Sequence, residues 1–144
     1  MEKGLEKIIK KLFNKILEQD NIDIKEFSPL TLAYIGDAVH EIFIRTHIAS
    51  GEKIPVNKLH RLSIDYVKAN AQFIAVNKIK EILTEEELDI VRRGRNAKSG
   101  TVPKNADVTK YKYATGFETL LGFLFLTGKI ERLMDILNIT IEKD

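Results

Sequence analysis

Hydrophobic residues recur at helical spacing through most of this chain. In the N-terminal half, the pattern predicts an amphipathic helix over about 3–19, a helix over about 29–49 that Ser28 caps, and a long helix over about 55–83. We expect the first of these helices to pack on the rest of the molecule through its apolar face.

The C-terminal half shows the same periodicity. Thr84 and Glu87 have the spacing of a capping box, which predicts a short helix that reaches about Arg93. Two further helices are predicted over about 111–128 and 129–138. No stretch alternates with the two-residue period of a strand, so the predicted fold class is all-α.

Two of these helices are almost wholly apolar, and each carries an acid near its middle. Asp37 lies in the stretch 27–44 and Glu118 in the stretch 111–128, and glycines beside both acids permit close approach of the backbones. We therefore expect Asp37 to be buried and to face Glu118 if the helices pack together. Glu41, one turn after Asp37, is expected to form an ion pair with Arg45 instead.

Two carboxylates that face each other in an apolar setting repel. Either one of them stays protonated, or a hard divalent cation binds between them. We favour the cation. The alternative from the residues alone is that a nearby lysine or arginine neutralises each acid, or that the acid lies on a more solvated face than the apolar pattern suggests.

Positive charge is concentrated just before the Glu118 helix. Between Ile90 and Ala106 every charged residue is basic, and glycine, serine, threonine and asparagine separate them. This composition predicts a flexible loop that binds phosphate groups, although an exposed basic connection is the alternative. The predicted phosphate-binding residues of this segment are Arg92, Arg93, Arg95, Asn96, Lys98 and Lys104, and Lys58 and Arg61 on the 55–83 helix are further candidates.

Composition narrows the class of protein further. The 144 residues are 44% hydrophobic and 31% charged without a shift along the chain, which predicts a single domain. The absence of cysteine excludes disulfides and thiolate metal sites. We found no secretory signal and no apolar run long enough for a membrane, so we expect a cytoplasmic protein. A net charge of +2 is too small to indicate nucleic acid by itself.

Four motifs, taken together, are similar to those of a known family. They are LAYIGDAV at 32–39, RGRNAKS at 93–99, VPKN at 102–105 and FETLLG at 117–122. With these motifs in this order, the stretch 27–126 resembles the ribonuclease III family, and more narrowly its Mini-ribonuclease III group.

The resemblance implies a helical ribonuclease III endonuclease domain that occupies residues 1–144, without the separate double-stranded-RNA-binding domain of longer members. It implies a homodimer and hydrolysis of double-stranded RNA that depends on Mg²⁺, for which Mn²⁺ can substitute, and that leaves 5′-phosphate ends. For the Mini group it implies maturation of the large-subunit (23S) ribosomal RNA precursor. Asp37 matches the family's signature aspartate and Glu118 its metal-binding glutamate, so both are predicted catalytic residues and metal ligands.

The chain departs from longer members of the family at three positions. Leu30 and Ala33 stand where those enzymes have glutamates, and Thr115 stands where they have an aspartate. The number of metal ions is therefore left open. Two other functions remain: a catalytically silent RNA-binding or assembly module on the same fold, and a helical metal-dependent hydrolase of small phosphates.

Overall fold

Helices account for all regular secondary structure in the computed structural model, which describes residues 2–19, 23–51, 53–98, 102–104 and 106–142. Within these ranges there is no strand, and the all-α prediction is confirmed. A short 3-10 helix spans Ile24–Glu26. The α-helices are α1 (Glu2–Gln19), α2 (Pro29–Gly51), α3 (Val56–Val67), α4 (Ala69–Ile79), α5 (Glu85–Asn96), α6 (Val108–Leu126) and α7 (Ile130–Ile141).

Helix α6 is the centre of the molecule, with α2, α4, α5 and α7 packed around it. Its residues Phe117, Leu120, Leu121 and Leu124 are fully buried. The α2–α6 crossing is very close: a Cβ added at Gly36 would lie 1.7 Å from the backbone oxygen of Glu118. Only glycine fits at such a crossing, and it brings the two acid-bearing helices into direct contact.

The predicted helix starts are confirmed where the structure shows their caps. Ser28 Oγ accepts a hydrogen bond of 3.1 Å from the Thr31 backbone N–H at the start of α2. At the start of α5, Thr84 Oγ1 accepts from the Glu87 N–H at 3.1 Å, and Glu87 Oε1 accepts from the Thr84 N–H at 2.9 Å. Each cap satisfies backbone donors that the helix itself leaves free.

The prediction of one long helix over 55–83 is wrong. The helix breaks at Lys68, whose backbone is extended at φ −65° and ψ 156°; α3 packs mainly on α2, whereas α4 packs on α6 and α7. Neither proline nor glycine marks the break, so local sequence signals could not reveal it. The break lets Val67 and Ala69 line the same cleft.

The prediction of a flexible basic loop from Ile90 is also wrong in its first part. Helix α5 continues to Asn96, and Ile90 and Gly94 are buried in it. A Cβ at Gly94 would lie 2.3 Å from Thr119 Oγ1, so this glycine serves close packing on α6 rather than flexibility. Of the predicted loop, Ser99, Gly100, Thr101 and Asn105 lie outside the described residues.

The packing expected of α1 is not what the structure shows for its described side chains. Ile8, Leu12 and Ile16 are more than half exposed, at 60%, 59% and 53%. Phe13 does reach the domain, and its ring lies 4.9 Å from that of Phe125 in an edge-to-face contact. Periodicity correctly predicted the helix but not the surface that would cover its apolar face.

Of the helices that the structure describes, none has the length and apolar character that crossing a membrane requires.

Candidate active site

Asp37 and Glu118 lie in one cleft between α2 and α6, as predicted from the sequence. The cleft has a volume of ≈ 370 Å³. Its lining residues come from α2, α6, the end of α3 and the start of α4. The glycine-mediated crossing of α2 and α6 sets the distance between the two acids, because Gly36 is next to Asp37 and touches the backbone of Glu118.

The two carboxyl groups differ in environment. The expectation that Asp37 is buried is wrong, and the alternative of a more solvated face holds for it, since α2 leaves this side chain exposed at the cleft. Glu118 is partly buried. Burial, a hydrogen bond with Asp37 and the charge of Asp37 together raise the pKa of Glu118 to about 8. Without a cation, the pair therefore holds a proton near neutral pH.

Neutralisation by a basic side chain, one of the two alternatives from the sequence, is not found among the described residues. Among the ion pairs formed by described residues, none includes Asp37 or Glu118. Glu41 does form the predicted ion pair, with its Oε2 atom 2.9 Å from Arg45 Nε. No basic side chain among the described residues therefore compensates the repulsion between the two acids.

The donor set fits a magnesium ion. Mg²⁺ keeps several water ligands and commonly binds proteins through one or two carboxylates together with substrate phosphates. Asp37 and Glu118 supply two carboxylates in an open cleft, and within the described ranges no group of three or more histidine and acidic side chains forms a closed metal site. Leu30, Ala33 and Thr115 line the same cleft. The three departures from the longer enzymes therefore leave the cleft with fewer acidic side chains.

Sequence reasoning missed two polar residues of the cleft, Gln72 and Tyr111. Gln72 is only 3% exposed and lies on α4, where it interrupts an apolar face. A polar residue within this apolar face was the sequence signal that could have identified Gln72. Tyr111 was taken as one more aromatic residue of the α6 pattern, and nothing in its spacing distinguished it.

The predicted RNA-binding residues fall on separate elements. Arg92, Arg93, Arg95 and Asn96 lie on α5, which packs mainly on α6, whereas Lys58 and Arg61 lie on α3, which packs on α2 and α4. Lys98 and Lys104 are exposed residues of the connection between α5 and α6.

Two of the arginines on α5 have identified contacts. Arg92 Nη1 lies 3.6 Å from Asp89 Oδ1. Arg95 is held against α6, with a hydrogen bond of 3.1 Å from its Nη1 to the Tyr113 hydroxyl and its guanidinium 5.4 Å from the ring centre. Arg93 and Lys98 are exposed.

Comparison with known proteins gives a consistent result. The ribonuclease III domain family matches residues 30–129. Mini-ribonuclease 3 of Thermoanaerobacter sp. (strain X514) is 53% identical over 119 residues, which cover 83% of this chain and 84% of the relative. Mini-ribonuclease 3 of Clostridium tetani is 52% identical over 83% of this chain and 80% of its own length.

Similarity extends to tertiary structure. A crystal structure of a protein from Fusobacterium nucleatum superposes with a TM-score of 0.77 at 33% identity, covering 85% of this chain and 99% of that one. The family match includes both helices that carry the acids, α2 from Leu30 onward and α6. The chain therefore belongs to the ribonuclease III family, and its curated relatives group it with the Mini-ribonuclease 3 proteins.

Proposed function

We propose that this chain is a Mg²⁺-dependent endoribonuclease that cleaves double-stranded RNA, with Asp37 and Glu118 as its metal ligands and catalytic residues. Family membership identifies the endoribonuclease activity. The assignment of the two residues is supported chiefly by one observation: the cleft holds two facing carboxylates that lack a basic partner among the described residues, and the pKa of one of them is raised to about 8.

The two acids have distinct tasks in this proposal. Asp37, exposed at the cleft mouth, meets the incoming phosphodiester first, while Glu118 is the partly buried ligand behind it. A bound Mg²⁺ would supply Lewis-acid activation of the phosphodiester and of the attacking water. Glu118 must give up its proton for this, so ion binding and deprotonation are coupled. The products are a 5′-phosphate and a 3′-hydroxyl.

In this proposal, recognition of the duplex depends on basic residues of α3, α5 and the connection from α5 to α6. A-form RNA is recognised mainly through backbone shape, phosphates and 2′-hydroxyls, and arginine and lysine bind phosphate oxygens. Arg93, Lys98 and Lys104 are exposed on α5 and the connection to α6, while Lys58 and Arg61 extend the proposed surface to α3. Arg95, stacked on Tyr113, is oriented before RNA binds.

The active form is proposed to be a homodimer. Leu30, Tyr34, Ala38 and Ile42 are spaced four residues apart and form an exposed apolar stripe along α2, with Tyr34 78% and Ile42 67% exposed. A stripe on one helix is self-complementary across a two-fold axis, which is how most homodimers assemble. This arrangement would place two clefts side by side, one for each RNA strand.

The natural substrate is proposed to be the large-subunit (23S) ribosomal RNA precursor, as the Mini-ribonuclease III resemblance implies. Incubation of the protein with a duplex stem from that precursor and with an unrelated duplex of equal length tests this point. Preferred cleavage of the precursor stem supports it, and equal cleavage of both duplexes contradicts it.

The catalytic proposal is tested by incubating the protein with a labelled RNA duplex in Mg²⁺ and in EDTA. We expect cleavage only with the metal, and loss of cleavage in Asp37→Ala and Glu118→Ala while duplex binding persists. Glu131→Ala, which removes an exposed acid on α7, is the matched control and should cleave normally. Cleavage by Glu118→Ala would refute the residue assignment, and duplex binding without cleavage by the unaltered protein would favour a silent RNA-binding module.

A further inference from the structure

His40 and Gln72 form a buried polar pair that directly adjoins the cleft. The two side chains are 2% and 3% exposed, and Gln72 Nε2 lies 3.0 Å from His40 Nδ1. His40 lies on α2, one turn after Asp37, while Gln72 lies on α4 and lines the cleft together with Glu118. The hydrogen bond therefore connects α2, which carries Asp37, to α4, which lines the same cleft as Glu118.

The histidine is held in one orientation and one charge state. Its ring meets the edge of the buried Phe117 ring at a centroid distance of 5.1 Å and an interplanar angle of 87°. Burial lowers the pKa of His40 to about 4, although the charge of Asp37 acts against this shift. A neutral imidazole whose Nδ1 lies beside an amide nitrogen accepts a hydrogen bond there and carries its proton on Nε2.

The hydrogen bond with His40 Nδ1 engages the NH₂ end of the glutamine amide. An amide has a donor end and an acceptor end of nearly the same shape, so packing alone does not select between them. His40 Nδ1 selects the NH₂ end. One N–H donates to His40, and the other is available to Glu118, which lines the same cleft as Gln72.

We propose that Gln72 is a positioning residue of the active site: its NH₂ group, held by His40, donates to the Glu118 carboxylate and fixes the orientation in which that carboxylate meets the metal ion. The inference rests on the proposed metal site. Partners that orient a metal-ligating side chain in this way commonly change metal affinity by about 10–100-fold when they are removed.

A purely structural role has different consequences. Buried polar groups need hydrogen-bond partners, and His40 and Gln72 could simply satisfy each other in the core. Loss of the pair would then lower the melting temperature without changing the affinity of Asp37 and Glu118 for a metal. Metal affinity measured without RNA therefore separates the two roles.

The experiment uses Gln72→Met, which keeps the length of the side chain and removes its donor. Free Mn²⁺ is measured by electron paramagnetic resonance during titration of the protein, and the Mg²⁺ concentration for half-maximal duplex cleavage is measured separately. We expect the dissociation constant for Mn²⁺ and the half-maximal Mg²⁺ concentration each to rise about 10-fold. Val76→Ala, a core change one turn further along α4, is the matched control and should lower the melting temperature with unchanged metal affinity.

His40 offers a second test that is independent of whether Gln72→Met folds. His40→Asn keeps an acceptor near the position of Nδ1 and should retain metal affinity, whereas His40→Leu removes the acceptor and should weaken it as Gln72→Met does. Unchanged Mn²⁺ affinity in Gln72→Met, or equal affinity in the two His40 variants, would overturn the proposal. Failure of the metal site itself is recognised separately, because Glu118→Ala would then bind Mn²⁺ as the unaltered protein does.

Discussion

At the scale of single residues, the site is governed by the cost of ionising Glu118. Burial opposes ionisation most strongly, and the hydrogen bond and charge of Asp37 add to it, while the hydrogen bond from Gln72 favours the ionised form. Together these effects raise the pKa of Glu118 from 4.5 to about 8. A group that is protonated in the folded protein and ionised in the unfolded chain makes stability depend on pH.

The direction of this dependence gives a prediction for the metal-free protein. Below pH 4.5 Glu118 is protonated in both states, and between pH 4.5 and about 8 only the folded state keeps the proton, so this group lowers stability as pH rises through that window. Glu118→Gln cannot ionise and removes the effect. In EDTA, thermal unfolding should show the variant to be more stable than the unaltered protein at pH 8–9, and about equally stable at pH 4.5.

Magnesium provides the internal control for that measurement. If Mg²⁺ binds the ionised pair as proposed, it should restore the stability of the unaltered protein at high pH and leave Glu118→Gln unchanged. If the stability of the two proteins in EDTA changed with pH in the same way, Glu118 would ionise at its ordinary pKa. That result would contradict the raised pKa of Glu118.

At the scale of helices, the glycines at the α2–α6 crossing set the distance between the two acids of the proposed active site. A Cβ at Gly36 would lie 1.7 Å from the Glu118 oxygen, and a Cβ at Gly122 would lie 1.9 Å from the Leu32 oxygen. Both atoms belong to backbone, which cannot move aside as a side chain can. An added methyl group must therefore push one helix away from the other.

Gly36→Ala should separate Asp37 from Glu118 and also disturb the core. We expect a loss of about 2 kcal/mol or more in the free energy of unfolding from overpacking. Cleavage should fall on the order of 100-fold, because a displacement of about 1 Å between catalytic groups has effects of that size. Urea unfolding and single-turnover cleavage measure the two losses.

Gly4→Ala is the matched control, since an added Cβ at Gly4 meets no atom within 4 Å. This substitution should leave cleavage unchanged and leave stability unchanged or increase it by up to about 1 kcal/mol, because alanine is the better helix former. Full cleavage by Gly36→Ala would show that the crossing does not control the distance between the acids.

At the scale of the whole molecule, the exposed apolar stripe on α2 predicts association of two copies. A stable interface buries about 800 Å² on each partner, and its centre is depleted in charge. Ile42→Asp should therefore convert the dimer to a monomer in light scattering coupled to gel filtration. Ile74→Asp, a change of the same kind at another exposed isoleucine, should remain dimeric.

The same pair of variants tests whether dimerisation matters for cleavage. If each strand is cut by a different copy, monomeric Ile42→Asp should lose coordinated cutting of both strands and produce nicked duplexes. An unaltered protein that is itself monomeric at micromolar concentration would contradict the proposed dimer.

The sequence by itself determined the features that depend on neighbours along the chain. Helical periodicity predicted the all-α class, and Ser28, Thr84 and Glu87 marked two helix starts, because caps act within one turn. That Asp37 and Glu118 share one cleft could also be predicted, since glycines beside both acids permit the two apolar helices to pack closely. The motif order was sufficient to indicate the family.

Only the tertiary structure decided features that depend on contacts between distant segments. The break at Lys68 has no proline or glycine signal, and it arises where α3 and α4 must follow different surfaces. Gly94 is of a residue type that is common in loops, but it is buried against Thr119. The His40–Gln72 hydrogen bond joins residues 32 positions apart. Such contacts depend on how helices cross, and crossing geometry is set by packing of the whole core rather than by any local pattern.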